Sequence, residues 1–463
     1  MSLFAASKRP IWIWAGVTLL LAGYLTWVFF AKEDKRELLP GITTDGHHQI
    51  EQRCDVCHDS EPVDGLFTSS GVSNKACMEC HKQDLELAND SHPVIKFRNP
   101  ENAIFLEHIK ATDCVTCHAE HLEDRTHPMA VTIPPDYCAH CHDVTLEHRE
   151  THEGLAFNSC ETAGCHNFHD NLSLFESFLS EHLAEPAVLP EPKRELSKAV
   201  YRWISAGNER PPSTTPDAPA DRIASAPEHV ADWASTAHAA AGVNCSDCHG
   251  KGAAWQDKPA IESCATCHTL ETQDFRKGKH GMRLAVDLSP MEPSMARLPM
   301  KPEMAHESLD CTSCHGAHRF DREYAAAEAC MQCHDDDHTN NFSASPHFAL
   351  WNAELNGKAP AGTGVSCATC HLPRETRTDS TSGTKVEVVQ HNQNANLHPN
   401  EKMYRGVCMN CHGLGFTMDS LADRKLIENN FNGKPEVHVE SLDWVREVEE
   451  RREAHRKKIE SSN

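Results

Sequence analysis

The chain has little apolar and aromatic side-chain material and few positive charges. Of its 463 residues, 39% are hydrophobic and 6% aromatic, whereas a typical globular chain is about 45–50% apolar with glycine included. It carries 44 Lys and Arg against 68 Asp and Glu, a formal charge of −24, which argues against nucleic-acid binding because that needs clustered cations. A chain this polar struggles to bury enough surface to offset its ordering entropy. Either much of it is disordered, or something other than side chains supplies the core.

One segment at the start of the chain breaks the polar pattern. Residues 11–30 (IWIWAGVTLLLAGYLTWVFF) are uncharged and follow Lys8 and Arg9. This length matches the roughly 20 residues that a helix needs to cross a bilayer, and the preceding cations predict a cytoplasmic N-terminus. A cleaved signal peptide is the alternative, but it would have a shorter apolar core and a small-residue cleavage site. We therefore expect an anchor in the inner membrane, with the rest of the chain in the periplasm.

The 22 cysteines form eleven pairs, and histidine follows every pair directly. Ten pairs read Cys-x-x-Cys-His and one reads Cys-x4-Cys-His. Zinc ribbons and disulfides also use paired cysteines but do not require the histidine, and Cys-x-x-Cys-His is the attachment signature of c-type haem. In chain order, sites 1 to 11 are Cys54, Cys57 and His58; Cys77, Cys80 and His81; Cys114, Cys117 and His118; Cys138, Cys141 and His142; Cys160, Cys165 and His166; Cys245, Cys248 and His249; Cys264, Cys267 and His268; Cys311, Cys314 and His315; Cys330, Cys333 and His334; Cys367, Cys370 and His371; and Cys408, Cys411 and His412.

Eleven covalent haem c groups account for the polar composition. The two thiols of each motif bond one haem, and the histidine is the proximal ligand of its iron. The macrocycles are apolar bodies that replace a side-chain core, so the chain should not fold without them. We predict a mainly α-helical, haem-cored fold with much irregular loop and an N-terminal transmembrane helix.

Enough histidines remain to give every iron a second one. Subtracting eleven proximal ligands from 33 histidines leaves 22, so methionine ligation, which raises reduction potentials, need not be invoked. The candidates lie shortly before a motif, three residues after a proximal histidine, or between motifs. The predicted distal ligands are His48 (with His47 beside it), His92, His108, His121, His152, His169, His238, His280, His306, His318, His347, His391 and His398.

The spacing of the motifs predicts two haem modules. Five sites lie in residues 40–184 and six in residues 229–435. Between them, residues 185–228 hold eight prolines and no cysteine, which predicts an extended linker. Residues 1–39 are the anchor, and residues 436–463 are predicted to form a charged helical tail.

The two modules resemble different multihaem proteins. Residues 47–170 resemble the class III, tetrahaem-type cytochromes c in their dense motifs, their one Cys-x4-Cys-His and their histidines upstream of motifs. Residues 238–413 resemble the hydroxylamine oxidoreductase and octahaem cytochrome superfamily, in CTSCHGAHRF (311–320), CMQCHDDDH (330–338) and MYRGVCMNCHG (403–413). The first resemblance implies electron transfer alone. The second implies an open iron face at site 8, with Asp337 and His338 as proton donors, and homo-oligomers among the relatives.

Two functions remain open at this stage. One is a membrane-anchored undecahaem conduit that carries electrons from a quinol-oxidising membrane partner to a periplasmic acceptor. The other is a terminal reductase of nitrite, hydroxylamine or a similar small oxyanion at one open haem, with Asp337 and His338 as general acids. In the conduit interpretation, His338 ligates a neighbouring haem and Asp337 is a surface acid. The chain has no tyrosine after Tyr404 and no lysine in place of a motif histidine, so the signatures of the oxidative enzymes and of the nitrite reductases are both missing.

Overall fold

The structure is a computed structural model of the chain. It describes residues 9–32, 34–58, 71–87, 112–122, 176–191, 210–378, 385–397, 403–439 and 441–461, together with residues 110, 132 and 169.

Two of the predicted haem sites and four of the predicted ligands lie outside the described residues. Site 4 consists of Cys138, Cys141 and His142, and site 5 consists of Cys160, Cys165 and His166. The ligands outside are His92, His108, His152 and His398. The assignments of haem attachment and of iron ligation at these positions therefore stay predictions from the sequence.

The described residues are mostly helical, with little strand, as the sequence predicts. Most helices are short, because the motifs and prolines interrupt them every few residues. The α-helices are Arg9–Phe30, Cys54–Cys57, Asn74–Leu87, Cys114–Cys117, Glu176–His182, Ala220–Ser225, Pro227–Ala234, Ala237–Ala240, Cys245–His249, Ile261–Ala265, Thr269–Lys277, Met282–Ala285, Cys311–His315, Arg322–Ala326, Glu328–Cys333, Asp337–Asn341, Pro346–Leu355, Cys367–His371, Asn394–Leu397, Met403–Gly406, Leu414–Ala422, Arg424–Glu428 and Ser441–Glu460. Strands Arg374–Thr378 and Lys385–Val389 pair antiparallel.

The first helix, Arg9–Phe30, is long and apolar enough over Ile11–Val28 to cross a membrane. Its large side chains, including Trp12, Trp14 and Leu20, are mostly exposed to the surroundings of the protein. An apolar helix at this place is compatible with a membrane anchor and with a signal sequence.

Three of the motif helices begin at their first cysteine because the preceding residue caps them. Asn244, Asp310 and Ser366 each accept backbone N–H groups of the helix that follows. In each case the third helical residue, which lies inside the Cys-x-x-Cys spacer, bonds back to the capping residue's N–H. This reciprocal capping fixes the helix start, so the spacer residues of the motif hold both of its cysteines in one helical turn.

One cluster of buried apolar side chains packs at the C-terminal end of the described chain. It contains Leu179, Tyr404, Met409, Leu414, Met418 and Leu442. The cluster joins three helices: Glu176–His182, Leu414–Ala422 and the beginning of Ser441–Glu460. Beyond this cluster, residues 451–461 of the predicted charged tail are exposed.

Truncating the most buried member of this cluster should destabilise it strongly. Leu414 is 0% exposed, so Leu414→Ala should cost about 2–5 kcal/mol from lost transfer free energy and the cavity left behind. Urea unfolding followed by circular dichroism measures this change. The control Leu298→Ala removes a side chain that is 58% exposed and should change stability by less than about 0.5 kcal/mol. Equal effects of the two variants would contradict this packing.

Both described ends of the proline-rich segment are docked on the second module. The N–H of Leu189 donates to the Cys411 carbonyl over 2.8 Å, and the N–H of Gly413 donates to the Pro186 carbonyl over 3.1 Å. At the other end, Asp217 accepts hydrogen bonds from the N–H and hydroxyl of Ser246. Residues 185–191 and 210–219, in the segment for which an extended linker was predicted, are therefore held against the second module.

Candidate haem-binding sites

Eight motif histidines face a second histidine ring. In all eight pairs, the two ring centroids are about 6 Å apart. The pairs are His81–His47 (5.9 Å, site 2), His118–His169 (6.2 Å, site 3), His249–His318 (5.9 Å, site 6), His268–His238 (6.0 Å, site 7), His315–His391 (6.3 Å, site 8), His334–His280 (6.2 Å, site 9), His371–His338 (6.1 Å, site 10) and His412–His347 (6.3 Å, site 11).

This separation fits one iron held between two imidazoles. A metal–imidazole bond is about 2 Å long, so the centroids of two rings that bind one metal from opposite sides are about 6 Å apart. Direct packing of aromatic rings spreads over about 4.5–7 Å, whereas the eight spacings lie between 5.9 and 6.3 Å. Among the described residues there is no group of three or more metal-ligating side chains. Each of the eight pairs would thus suit a haem iron that takes one imidazole on each side.

The motif histidine of site 1 is described through its backbone. His58 directly follows helix Cys54–Cys57, and its N–H donates to the Cys54 carbonyl over 2.8 Å. The same bond recurs at site 3, where the N–H of His118 donates to the Cys114 carbonyl over 2.9 Å. The backbone around His58, the predicted proximal ligand of site 1, therefore has the same local geometry as the backbone around His118. At site 3, that histidine faces a second ring.

Hydrogen bonds at Nδ1 hold several of these rings in place. The Nδ1 of His249 bonds to the Gln256 carbonyl (2.6 Å), that of His412 to the Ala187 carbonyl (2.9 Å), and that of His338 to the Ile427 carbonyl (2.6 Å). The Nδ1 of His391 bonds to the Val389 carbonyl over 2.8 Å. A carbonyl acceptor places the proton on Nδ1 and leaves the Nε2 lone pair for a metal.

Burial keeps four of the paired histidines neutral. Desolvation, together with the neighbouring histidines, lowers the pKa of His280, His315, His347 and His371 to about 4. Only an imidazole without a proton on Nε2 can bind a metal. The protein environment therefore selects the ligand form of these rings.

One continuous cavity connects the sites of the second module. It has a volume of about 2530 Å³ and is lined by residues of all six motifs from Cys245 to His412. Apolar side chains such as Trp233, Phe275 and Leu372 form much of its wall. A cavity of this shape and lining matches a row of apolar macrocycles that take the place of a side-chain core.

The cysteine thiols show that successive sites are neighbours. The thiols of Cys264 and Cys311 share a hydrogen bond, and so do those of Cys330 and Cys367. Burial raises the pKa of the Cys248 thiol to about 11 and that of the Cys314 thiol to about 12, and the nearby thiols of Cys264 and Cys330, respectively, add to these shifts.

A contact between thiols also places site 11 beside site 10. Burial, together with the nearby thiol of Cys370, raises the pKa of the Cys408 thiol. Sites 6 to 11 thus form a row in chain order. In the first module, the thiols of Cys77 and Cys114 share a hydrogen bond, which makes sites 2 and 3 neighbours.

The two modules repeat one arrangement of ligands. The histidine that faces the second site of each module lies just before the module's first motif: His47 for site 2 and His238 for site 7. His318, which faces site 6, lies three residues after the proximal histidine of site 8, and His121 holds the same place after site 3. Both residues adopt a left-handed backbone, with φ of 64° and 62°, which few non-glycine residues do. The shared conformation indicates a shared role.

Six of the predicted distal histidines lie beside a motif histidine, whereas two others, His306 and His48, make different contacts. His169, His238, His280, His318, His347 and His391 each face a motif ring. His306 is instead 86% exposed and pairs with Glu292 over 3.1 Å. His48 bonds to Gln49, while its neighbour His47 faces His81. Two adjacent histidines cannot be told apart by spacing, since only the turn over residues 45–50 decides which one points inward.

The residues predicted as proton donors lie elsewhere than the resemblance implied. His338 faces the proximal histidine of site 10, not site 8, whose His315 faces His391. The geometry therefore favours a ligand role for His338. Asp337 follows the capping residue Asp336 in the first turn of helix Asp337–Asn341. Ligation by His338 was weighed for the conduit, but nothing in the spacing singled out site 10.

The family model of cytochrome c3 matches two parts of the chain, residues 46–143 and residues 237–335. The first match contains sites 1 to 4 and the second contains sites 6 to 9. Site 4, with Cys141 and His142 at its end, thus falls inside the first match, whereas site 5, with Cys165 and His166, lies beyond it. The second match falls where the sequence suggested the hydroxylamine oxidoreductase superfamily, so the cytochrome c3 likeness extends into the second module. The two matched regions correspond to the repeated ligand arrangement.

Proposed function

We propose that this multihaem c-type cytochrome, with two cytochrome c3-like domains, is an undecahaem electron conduit in which two histidines bind every iron. Cytochrome c3-like domains imply multihaem electron transfer. The single observation that carries the finer proposal is the set of eight histidine pairs, which includes all six sites of the second module. An iron with two protein ligands offers no position to a substrate, and two histidine ligands keep its potential low.

The same pairing argues against the reductase alternative in the second module. A reductase needs one iron with an open face, and the resemblance assigned that face to site 8. His391 faces His315 there at a centroid distance of 6.3 Å, which supports a protein ligand on both sides of an iron bound at this site. The Cys-x-x-Cys pairs would attach each haem, and the neutral histidines would bind its iron. The apolar cavity would shield the haems from water. A bound haem c supplies the one-electron chemistry.

The arrangement that the two modules share also predicts the second ligand of site 1. We assign His121 to this position, opposite His58. His121 stands where His318 stands in the second module, with the same left-handed backbone. Its Nδ1 bonds to the Gly41 carbonyl over 3.0 Å, which leaves Nε2 for a metal.

We further propose that helix Arg9–Phe30 anchors the protein in the inner membrane, with both modules in the periplasm. The helix is long enough to span, and Lys32 lies 5.8 Å from the ring of Trp27 at its C-terminal end. Aromatic and cationic residues at a helix end are typical of the membrane interface. A quinol-oxidising membrane protein would then be the donor and a periplasmic protein the acceptor.

Low-temperature EPR of the oxidised full-length protein tests the conduit. We expect eleven haems per chain by pyridine haemochrome assay and only low-spin ferric signals, unchanged by nitrite or cyanide, because no iron has a free position. A high-spin ferric signal near one spin per chain that changes on adding nitrite would overturn the conduit and restore the reductase.

A further inference from the structure

The first module docks on the second through a basic segment, residues 276–283 (RKGKHGMR), and the nearby Arg297. The guanidinium of Arg283, only 7% exposed, donates to the Gln49 carbonyl over 3.1 Å. Arg297 donates to the Thr43 carbonyl and to the Asp45 carboxylate, over 3.0 and 2.9 Å. Cations of the second module thus meet carbonyl and carboxylate oxygens of the first, in a protein that is acidic overall.

This contact places site 2 beside the middle of the row. The Nζ of Lys277 donates to the Oε1 of Gln83 over 2.6 Å. Gln83 lies two residues after the proximal histidine of site 2, and Lys277 lies three residues before His280, which faces site 9.

Gly278, next to Lys277, lets His391, the predicted ligand of site 8, approach this contact between the modules. A Cβ on Gly278 would lie 3.0 Å from the His391 carbonyl oxygen and 2.5 Å from the Oε1 of Gln393. These contacts are too close for any other residue to fit without a shift. The docking point therefore borders sites 8 and 9, the third and fourth of the six sites in the row.

We propose that site 2 passes electrons into the row at its middle, through site 9, so that the second module is a branched conduit with exits toward sites 6 and 11. This inference rests on the proposed conduit function. With haem bound at both sites, each transfer would take one electron from a ferrous iron at site 2, which would become ferric, and would reduce a ferric iron at site 9. No bond forms or breaks, and the quinol-side donor supplies the electron.

The charge around the docking point supports this role. Lys277, Lys279 and Arg283 lie within seven residues of one another, and Arg297 adds a fourth cation. Nearby positive charge stabilises the reduced state of a redox centre. Electrons arriving from the first module are therefore drawn to the junction before they divide between the two arms.

Distance-sensitive EPR tests the junction in the full-length haem-loaded protein. His47→Ala and His280→Ala each open one iron, at site 2 and site 9, and give a high-spin signal. In the double variant we expect that signal to be broader and lower than the sum of the two single variants, because neighbouring paramagnets couple. The matched control His47→Ala/His347→Ala opens site 2 and site 11, at the end of the row, and should give the simple sum. A simple sum in the first pair, or equal or greater broadening in the control, would overturn the proposal.

A second measurement applies if the double variant does not accumulate all its haems. Gln83→Glu places a carboxylate next to the Lys277 ammonium, so a carbodiimide should join helices Asn74–Leu87 and Thr269–Lys277 by an amide that mass spectrometry detects. Lys277→Arg in the same background should abolish the product, since a guanidinium forms no such amide. Absence of the product from Gln83→Glu overturns the junction. An open haem in the wild-type protein would instead overturn the conduit, whatever the result of the cross-linking.

Discussion

His338→Ala is expected to convert one haem per chain from low spin to high spin. The ring of His338 faces His371 at 6.1 Å and is held by the bond from its Nδ1 to the Ile427 carbonyl. Removing the ring leaves the iron of site 10 with one protein ligand, and water or nothing takes the other position. Low-temperature EPR should show a new high-spin ferric signal that integrates to one spin, and added imidazole should abolish it by replacing the missing ring.

The neighbouring carboxylate provides the matched control. Asp337→Asn changes the charge beside the same ring without touching a ligand, so all irons should stay low spin. A reductase with Asp337 and His338 as proton donors would behave differently. Both variants would then lose turnover, and His338→Ala would leave the EPR spectrum unchanged. That pattern would contradict the ligand assignment of His338.

The same chain produced without haem attachment is expected to be unfolded. The cluster around Leu414 is the main apolar cluster in the described residues, and the six motifs of the second module line a cavity of about 2530 Å³. Without macrocycles the motif helices have nothing apolar to pack against, and helices of four or five residues are not stable alone. Cytoplasmic expression without the maturation system should therefore give a chain whose residues 40–463 lose their far-UV helical signal and are rapidly digested by protease.

The mature protein from the periplasm of a maturing host is the reference for this experiment. Because the first helix, Arg9–Phe30, is apolar enough to be helical in detergent without haem, the comparison should use signals from residues 40–463. A haem-free chain that retained protease-resistant modules would show that side chains alone supply the core. It would contradict the folding role assigned to the haems.

The haem motifs and the helical class could be predicted from the sequence because both depend on local spacing. Cys-x-x-Cys-His fixes two thiols and one imidazole within a single turn, and the structure forms that turn at Cys245–His249, Cys311–His315 and Cys367–His371. His318 could be singled out in the same way, since it follows a motif by a fixed interval.

The pairing of ligands with sites could not be predicted in this way. His391 faces a proximal histidine 76 positions earlier in the chain, and His338 faces one 33 positions later. Such pairs depend on how distant helices pack, which no local pattern records. The docking of residues 185–191 was missed for a similar reason. Its prolines predict an extended chain, but no local pattern records the hydrogen bonds that join it to residues more than two hundred positions away.

The bonds between residues 186–189 and the last motif also set an order of assembly. Cys411 and Gly413, which hold Leu189 and Pro186, leave the ribosome more than two hundred residues later. Domains generally fold from the N-terminus during synthesis, but these two hydrogen bonds cannot form until the last motif has been synthesised. Docking of residues 186–189 must therefore wait for the last cysteines to arrive, and it marks a chain whose synthesis has passed the final Cys-x-x-Cys-His motif.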